Sequence, residues 1–299
     1  MTDINDRLAT AARHHQAGRL AEAEKLYREI LKVDPKHLVT LQCHGILGLQ
    51  SGRPAVAIEM LGKALAIEDR MPECHHNLAL ALRAVGRLDD AVVHYRRALA
   101  LKPDHVEAHV NLANALAQQG KFEEAFASYR RALDLKPDFA QAHNNFGTAL
   151  LSQGRVEEAL LHLQRALALD PNLTEAYLSI GDALIAQGRL DEAAPQFQRA
   201  LVINANSPQA NQRRGLVFLL QQRPGEAVPV LERAIALKPD FIEAYNSLAQ
   251  ALFNLRRVGE SLGVLRRAID IGGAHQSKFL FIQFLRSHKA FRVTPICES

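Results

Sequence analysis

One short stretch decides the fold, because it returns along the chain at a fixed spacing. LKPDHVEAH at residues 101–109 recurs as LKPDFAQAH at 135–143, LDPNLTEAY at 169–177 and LKPDFIEAY at 237–245. The prolines of these stretches, at positions 103, 137, 171 and 239, are separated by one, one and two steps of the same length. A step of about 34 residues is typical of stacked helical hairpins rather than of one closed globular core.

Other residues keep the same period and predict how each hairpin is built. Alanines seven residues apart, such as Ala91 and Ala98, share one helix face and let a neighbouring helix approach closely. Glycine at the turn supplies the left-handed conformation that ends the first helix of each pair. The turn glycines are Gly18, Gly52, Gly86, Gly120, Gly154 and Gly188. Gln222 and Arg256 replace the glycine in the last two periods.

The prolines, alanines and glycines that recur at this period resemble the pattern of the tetratricopeptide repeat (TPR) family over residues 4 to 275. The resemblance implies an all-α fold, a right-handed alpha-alpha superhelix (TPR solenoid) of eight helix-turn-helix repeats plus a C-terminal capping helix. We expect the array at 1–275 and the capping helix with an irregular tail at 276–299. The period sets the repeats at 4–37, 38–71, 72–105, 106–139, 140–173, 174–207, 208–241 and 242–275.

Composition and motifs narrow the function. The formal charge is +4 and the basic residues are spread along the chain, which argues against dedicated nucleic-acid binding. No apolar run suits a membrane span or a signal peptide, so we expect a cytoplasmic protein without membrane partners. Three scattered cysteines indicate neither disulfides nor a metal site. Because no phosphate loop, nucleophile elbow or dinucleotide motif is present, we expect no enzyme activity and no cofactor.

The first helices carry the candidate binding residues, because in this family they line the concave face. Asn77, Asn111 and Asn145 each lie one period after the last, and an asparagine amide can both donate and accept hydrogen bonds with a peptide backbone. Simple solvation of these side chains is the alternative interpretation. The predicted partner-binding residues are Asn77, Asn111, Asn114, Asn145, Ser179, Asp182, Arg213, Asn246 and Gln250.

The stretches HHNLALAL at 75–82, HVNLANAL at 109–116 and HNNFGTAL at 143–150 are similar to repeats of O-linked N-acetylglucosamine transferases and related bacterial TPR-fusion proteins. That resemblance implies the same asparagine ladder, with Ser179 as a weaker continuation. The chain is therefore expected to be a protein–protein interaction scaffold that binds an extended peptide. The alternative is a substrate-recruiting arm of a glycosyltransferase or methyltransferase whose catalytic domain is absent from this chain. RNA binding, which helical repeats can perform, is disfavoured because the turn glycines and alanines follow the TPR pattern.

Two other sites known in repeat proteins fit the sequence poorly. A two-carboxylate clamp requires lysines and arginines at set concave positions, and only Arg213 fits. The column of His75, His109 and His143, with His105 four residues before His109, has a possible metal-ligand spacing. Because tyrosine occupies the same column in later repeats, packing between helices is the favoured interpretation, and we expect no metal.

The sequence QSKFLFIQFLRSH at 276–288 follows the last repeat and predicts one more helix. A capping helix should have a polar outer face, yet this one carries Phe279, Ile282 and Phe284 among other apolar residues. Either it is a cap with an unusually apolar rim, or these three residues contact a second domain or chain.

Overall fold

A computed structural model of the chain describes residues 4–272 and 277–284, which form helices joined by short turns. Within these two ranges there is no β-strand. The helices are α1 (Ile4–Gln16), α2 (Leu20–Val33), α3 (Leu38–Gln50), α4 (Pro54–Ile67), α5 (Pro72–Ala84), α6 (Leu88–Leu101), α7 (Val106–Gln118), α8 (Phe122–Leu135), α9 (Ala140–Leu151), α10 (Val156–Leu169), α11 (Thr174–Ala186), α12 (Leu190–Ile203), α13 (Pro208–Leu220), α14 (Pro224–Leu237), α15 (Ile242–Asn254), α16 (Val258–Asp270) and α17 (277–284).

Each sequence period holds one helical hairpin, and α5–α6 shows how the sequence forms it. Gly86 lies in the turn with a φ of 77°, a left-handed conformation in which a side chain is strained. The backbone N–H of Arg87 donates to the carbonyl of Leu82 at 2.9 Å and closes the end of α5. Asp89 and Asp90 lie in the first turn of α6, where the helix dipole stabilises negative charge.

Two turns keep this geometry without glycine. Gln222 has a φ of 59° and Arg256 a φ of 63°, close to the values of the turn glycines. A left-handed conformation costs a residue with a Cβ atom about 1 kcal/mol. The fold therefore imposes the turn on both residues, and packing of the flanking helices offsets the strain.

The core is built from small residues on one helix that receive large residues from its partner. Gly45 of α3 faces Leu61 of α4, and an added Cβ would lie 2.5 Å from Leu61 Cγ. Gly215 of α13 faces Leu231 of α14 in the same way, again at 2.5 Å. Both leucines are fully buried. Helices of one hairpin thus pack at a distance that leaves no room for a methyl group at these two positions.

The chain divides into two compact units, residues 1–149 and 150–299. In the first unit, α1 contacts α3, α3 contacts α5, and α5 contacts α7. The second helices α2, α4, α6 and α8 contact the first helices and, in the described part of the unit, not one another. The first helices of unit 1 therefore form the closer layer, which we call its first-helix layer.

Unit 2 repeats this arrangement. Its first helices α11, α13 and α15 contact one another in order, whereas α10, α12, α14 and α16, as far as the structure describes them, do not. The predicted all-α repeat fold is confirmed by these hairpins. None of the helices within 4–272 and 277–284 is both long enough and apolar enough to cross a lipid bilayer.

The helix predicted after the last repeat is present over 277–284, and the remainder of the tail lies outside the described residues. Phe284 is only 3% exposed, and its ring stacks on Phe253 of α15 with centroids 4.0 Å apart. The expectation that Phe284 faces a partner is therefore wrong, because this ring completes the core of its own unit. Phe279 and Ile282 remain exposed, at 67% and 50%.

Candidate functional site

The predicted asparagine row begins in the first-helix layer of unit 1, on α5 and α7, and continues at the equivalent position of α9, within residues 1–149. Asn77, Asn111 and Asn145 are each the sixth residue of their helices, α5, α7 and α9, and each is partly exposed. Asn114 follows Asn111 by three residues, so the two share one face of α7. We call these four residues the asparagine row; they combine solvent access with fixed positions on helices.

Asn111 is held by a histidine from the preceding repeat. Its Nδ2 lies 3.1 Å from Nε2 of His76, whose ring is 4.7 Å from that of His105. Burial, together with the neighbouring His105, lowers the pKa of His76 to about 4. His76 is thus neutral at pH 7, and its Nε2 accepts the Asn111 amide. This contact fixes the side chain and leaves its carbonyl oxygen to accept from a ligand.

In Asn145 and Asn114 the amide oxygen, rather than the amide nitrogen, contacts a neighbouring residue. Asn145 Oδ1 accepts from Gln141 Nε2 at 2.9 Å and from Asn144 Nδ2 at 3.3 Å. Asn114 Oδ1 accepts from the hydroxyl of Tyr129 at 2.5 Å. In both residues the Nδ2 group has no acceptor within 4–272 and 277–284 and can donate to a further group. The row therefore offers oriented donors at Asn114 and Asn145 and an oriented acceptor at Asn111.

A cavity of about 290 Å³ adjoins Asn77 between α3 and α5. Its lining mixes apolar side chains, such as Ile46 and Leu61, with the charged residues Arg70 and Glu73. A volume near the lower end of the range for ligand pockets can take a group of about the size of one side chain. The full lining is Gln42, Ile46, Leu61, Arg70, Met71, Pro72, Glu73, Cys74 and Asn77.

The predicted residues of unit 2 are paired with one another or with close neighbours. Arg213 Nε lies 2.7 Å from Asp182 Oδ1, and a second guanidinium nitrogen of Arg213 donates to Gln212 at 2.7 Å. Gln250 donates to Asn254 at 2.9 Å within the same helix. Ser179 is partly exposed on α11. The one acidic and the one basic residue of this predicted set thus neutralise each other.

Asn246 does not belong to an accessible surface. It is 6% exposed, and its Oδ1 accepts the hydroxyl of Ser277 at 2.7 Å, a residue of α17 that is itself fully buried. The prediction for Asn246 is wrong, because the serine that covers it comes from beyond the last period. A repeat pattern carries no information about such a contact.

The histidine column holds the turns between repeats. His109 Nε2 lies 3.0 Å from the carbonyl oxygen of Pro103, and His143 Nε2 lies 3.0 Å from that of Pro137. In the last repeat the hydroxyl of Tyr245 donates to the carbonyl of Pro239 at 3.1 Å. The described residues contain no group of three potential metal ligands.

His75 and His94 form a separate pair in the third repeat. Their Nδ1 atoms are 2.9 Å apart, and His75 Nε2 lies 2.9 Å from the carbonyl oxygen of Asp69. Since one ring nitrogen must donate and the other accept, the two rings share a single bridging proton. The pair joins α5 to α6.

Sequence reasoning missed His76 and the cavity residues Gln42 and Met71. A signal for them existed, because the column one residue before the asparagine row is polar at Gln42, His76 and Asn144. Polar residues are uncommon at positions buried between helices, so this column could have been flagged as a supporting layer.

The family model for the tetratricopeptide repeat matches residues 76–140, 119–174, 144–211 and 213–275. These matches span more than half of the chain, which therefore belongs to the tetratricopeptide repeat family. No curated protein matches the sequence.

Solved structures with the same fold were found as well. The crystal structure of MamA is 26% identical, over 57% of this chain and 96% of that chain, with a TM-score of 0.52. A tetratricopeptide repeat protein from Parabacteroides merdae is 15% identical, over 83% of this chain and 98% of that one, with a TM-score of 0.70. The Cut9-Hcn1 hetero-tetramer of the APC/C is 15% identical, over 89% of this chain and 52% of that one, with a TM-score of 0.70. The last two likenesses concern the fold alone.

Proposed function

We propose that this protein is a scaffold that binds an extended peptide segment of a partner protein along the first-helix layer of unit 1. The asparagine row supports the proposal most strongly, since Asn111, Asn114 and Asn145 are oriented by neighbours and keep unused hydrogen-bonding groups. Amide groups in a row can pair with the backbone of an extended chain whatever its side chains. The cavity beside Asn77 would take one side chain and add selectivity.

The asparagine row lowers the stability of its helices, and this loss gives the proposal a physical rationale. Asparagine is a poor helix former, and three of them at equivalent positions lower helix stability. A merely solvated face would be served equally well by lysine, glutamate or glutamine, which favour helices. In unit 2, Ser179, Asp182, Arg213 and Gln250 are proposed as a separate and weaker contact surface.

The test uses the full chain and a phage-displayed library of random peptides, selected on the wild-type protein. Each neutral hydrogen bond contributes about 0.5–1.5 kcal/mol, so loss of three should weaken binding by about 10-fold or more. We expect that loss for Asn77→Ala/Asn111→Ala/Asn145→Ala, measured by isothermal titration calorimetry.

The matched control is Ser128→Ala/Gln164→Ala/Gln198→Ala, which changes three polar residues on the second helices α8, α10 and α12. The control should bind the selected peptides with wild-type affinity. If the asparagine triple variant binds as tightly as the control, the row is not the site and the proposal fails.

A second candidate function is favoured by the exposure of Phe279 and Ile282 on α17. Exposed apolar side chains at one end of an array suit contact with a second domain, as in a substrate-recruiting arm of a glycosyltransferase or methyltransferase. This candidate requires that a purified catalytic domain of either kind bind the wild-type chain and lose affinity for Phe279→Ser/Ile282→Ser. Equal binding of both proteins, or none, would eliminate it.

A further inference from the structure

Arg83 stands in the last turn of α5 at a position that is apolar in the adjacent repeats, where Leu49 and Ala117 occur. Across the sequences of α3, α5, α7 and α9 it is the single lysine or arginine. The repeat pattern does not require this permanent charge, which has no lysine or arginine beside it on these four helices. Its presence calls for a partner.

The two acids of the same helices already contact basic side chains. Glu73 lies 3.0 Å from Lys102 Nζ, and Glu107 lies 3.3 Å from His105 Nδ1. Arg83 has no carboxylate within ion-pair distance in the part of the chain that the structure describes, and its Nε is buried without a hydrogen bond there. A guanidinium that is partly removed from water and lacks a counter-charge is unfavourable until an anion meets it.

The surroundings of Arg83 connect it to the asparagine row. It follows His76 by seven residues, two helical turns, so both lie on the side of α5 that faces α7, where His76 contacts Asn111. Burial raises the pKa of Tyr95 to about 12, and the adjacent Arg83 side chain, through its charge and its polar contact with the Tyr95 hydroxyl, opposes that rise. The same charge opposes the burial-driven rise in the pKa of Tyr129, whose hydroxyl donates to Asn114. Arg83 is thus within electrostatic reach of the residue that holds Asn114.

The charge and the position decide the chemistry of the anion. One arginine balances one carboxylate, whereas a phosphate carries up to two charges and is usually met by several cations. Asn77 precedes Arg83 by six residues on α5, and the other members of the row lie on α7 and α9. A bound segment that contacts Asn77 would therefore pass close to Arg83 on the same helix, where a side-chain carboxylate of the segment could meet it.

We infer that Arg83 pairs with the carboxylate of an aspartate or glutamate side chain in the bound segment, so that the partner of this scaffold presents an acidic residue at that point of the row. The inference rests on the proposed function, since it concerns the same surface. A planar guanidinium can hold a carboxylate through two parallel hydrogen bonds, with the asparagine amides holding the backbone on either side.

The test uses peptides selected on the wild-type chain and synthesised with amidated C-termini, so that side chains supply the only carboxylates. Each peptide is paired with a version in which its glutamates and aspartates are replaced one at a time by glutamine or asparagine. Wild-type protein should bind the acidic form about 10-fold more tightly than the amide form at one position, the size expected for a charge-assisted pair. Calorimetry gives both affinities.

Arg83→Leu inserts the residue that the preceding repeat carries at Leu49 and should abolish this preference. Arg83→Lys should keep part of this preference, because lysine retains the charge but cannot form two parallel hydrogen bonds with a carboxylate. Arg130→Gln, which removes an exposed arginine on the second helix α8, should keep it in full. Thermal unfolding followed by circular dichroism checks that the three variants are folded.

The outcomes separate the two proposals. Selected peptides that bind equally well in acidic and amide forms, or a preference that survives Arg83→Leu, contradict the role of Arg83 and leave the asparagine row intact. Selected peptides that bind the asparagine triple variant as tightly as its control contradict the proposed function, and the inference about Arg83 falls with it. An acid preference that disappears only with changes at Arg83 supports both.

Discussion

The two units share one framework and differ in what they place on it. In unit 1 the first helices carry amides with unused hydrogen-bonding groups and an arginine, Arg83, that has no carboxylate partner among the described residues. In unit 2 the equivalent layer carries Asp182 and Arg213, which neutralise each other at 2.7 Å, and Asn246, which α17 covers. The comparison indicates that the glycines, alanines and prolines that recur in both units determine the fold, whereas the proposed recognition depends on residues of unit 1 that unit 2 does not repeat.

The largest effect is expected where the framework is the same in both units. Gly45→Ala in unit 1 and Gly215→Ala in unit 2 each bring a methyl group against a fully buried leucine. Overpacking of this kind costs about 1–3 kcal/mol. Both variants should lower the free energy of unfolding by similar amounts in urea titrations. If one variant alone is destabilised, the two units do not share this packing.

A smaller effect is expected from replacing His44 of unit 1 by the leucine that the next repeats carry at the same position. His44 is 4% exposed and neither ring nitrogen makes a hydrogen bond in the described residues, although Glu24 lies 3.7 Å from Nε2. The same column holds Leu78 and Leu112 in the next repeats. Removal of a buried polar group without a hydrogen bond should make His44→Leu more stable than wild type by about 1–2 kcal/mol.

The gain from His44→Leu should grow with acidity. Burial lowers the pKa of His44, which outweighs the opposing effect of Glu24. As pH falls below the ordinary histidine value of about 6.5, the unfolded chain binds a proton that the folded chain does not, so wild-type stability declines. Melting temperatures at pH 7 and pH 5 should therefore differ more for wild type than for His44→Leu. An equal decline in the two proteins would show that His44 is not responsible.

The next effect concerns the turns within hairpins, which contain glycine throughout unit 1, whereas in unit 2 Gln222 and Arg256 replace it in the last two hairpins. Gln222→Gly relieves a left-handed conformation at a φ of 59°. We expect a gain of about 0.5–1 kcal/mol, reduced somewhat by the greater freedom of glycine in the unfolded chain. Differential scanning calorimetry measures the shift. Gly120→Gln is the reverse control, and it should lower the melting temperature; a rise would contradict the strain argument.

The smallest effect is expected at the ion pair that distinguishes unit 2. Asp182 and Arg213 are both partly exposed, at 41% and 32% of their side chains. Such pairs contribute between zero and about 1 kcal/mol. Asp182→Asn should therefore change the free energy of unfolding by less than about 0.5 kcal/mol at moderate salt. A loss of about 3 kcal/mol, the size expected when a buried ion pair is broken, would show that the pair supports the fold of unit 2 rather than its surface.

Much of the fold was predictable because each periodic residue has one physical task. The turn glycines, the paired alanines and the prolines that follow most hairpins specify two helices per period, and the structure has them. The asparagine row could be placed on the first helices for the same reason. Asn246 and Phe284 could not be predicted, since their burial depends on α17, which lies outside the period. The support of Asn111 by His76 and of Asn114 by Tyr129 depends on neighbouring helices, which a single column does not reveal.

The central claim is that the side-chain amides of unit 1 contact a peptide, and their NMR signals report on it directly. In a 15N-labelled full chain titrated with a selected peptide, the amide signals of Asn77, Asn111 and Asn145 should shift together and saturate at the calorimetric affinity. Asn172, in an exposed turn between repeats, should stay unchanged. If Asn172 shifts while the three amides of the row keep their free positions, the peptide binds elsewhere and the account is contradicted.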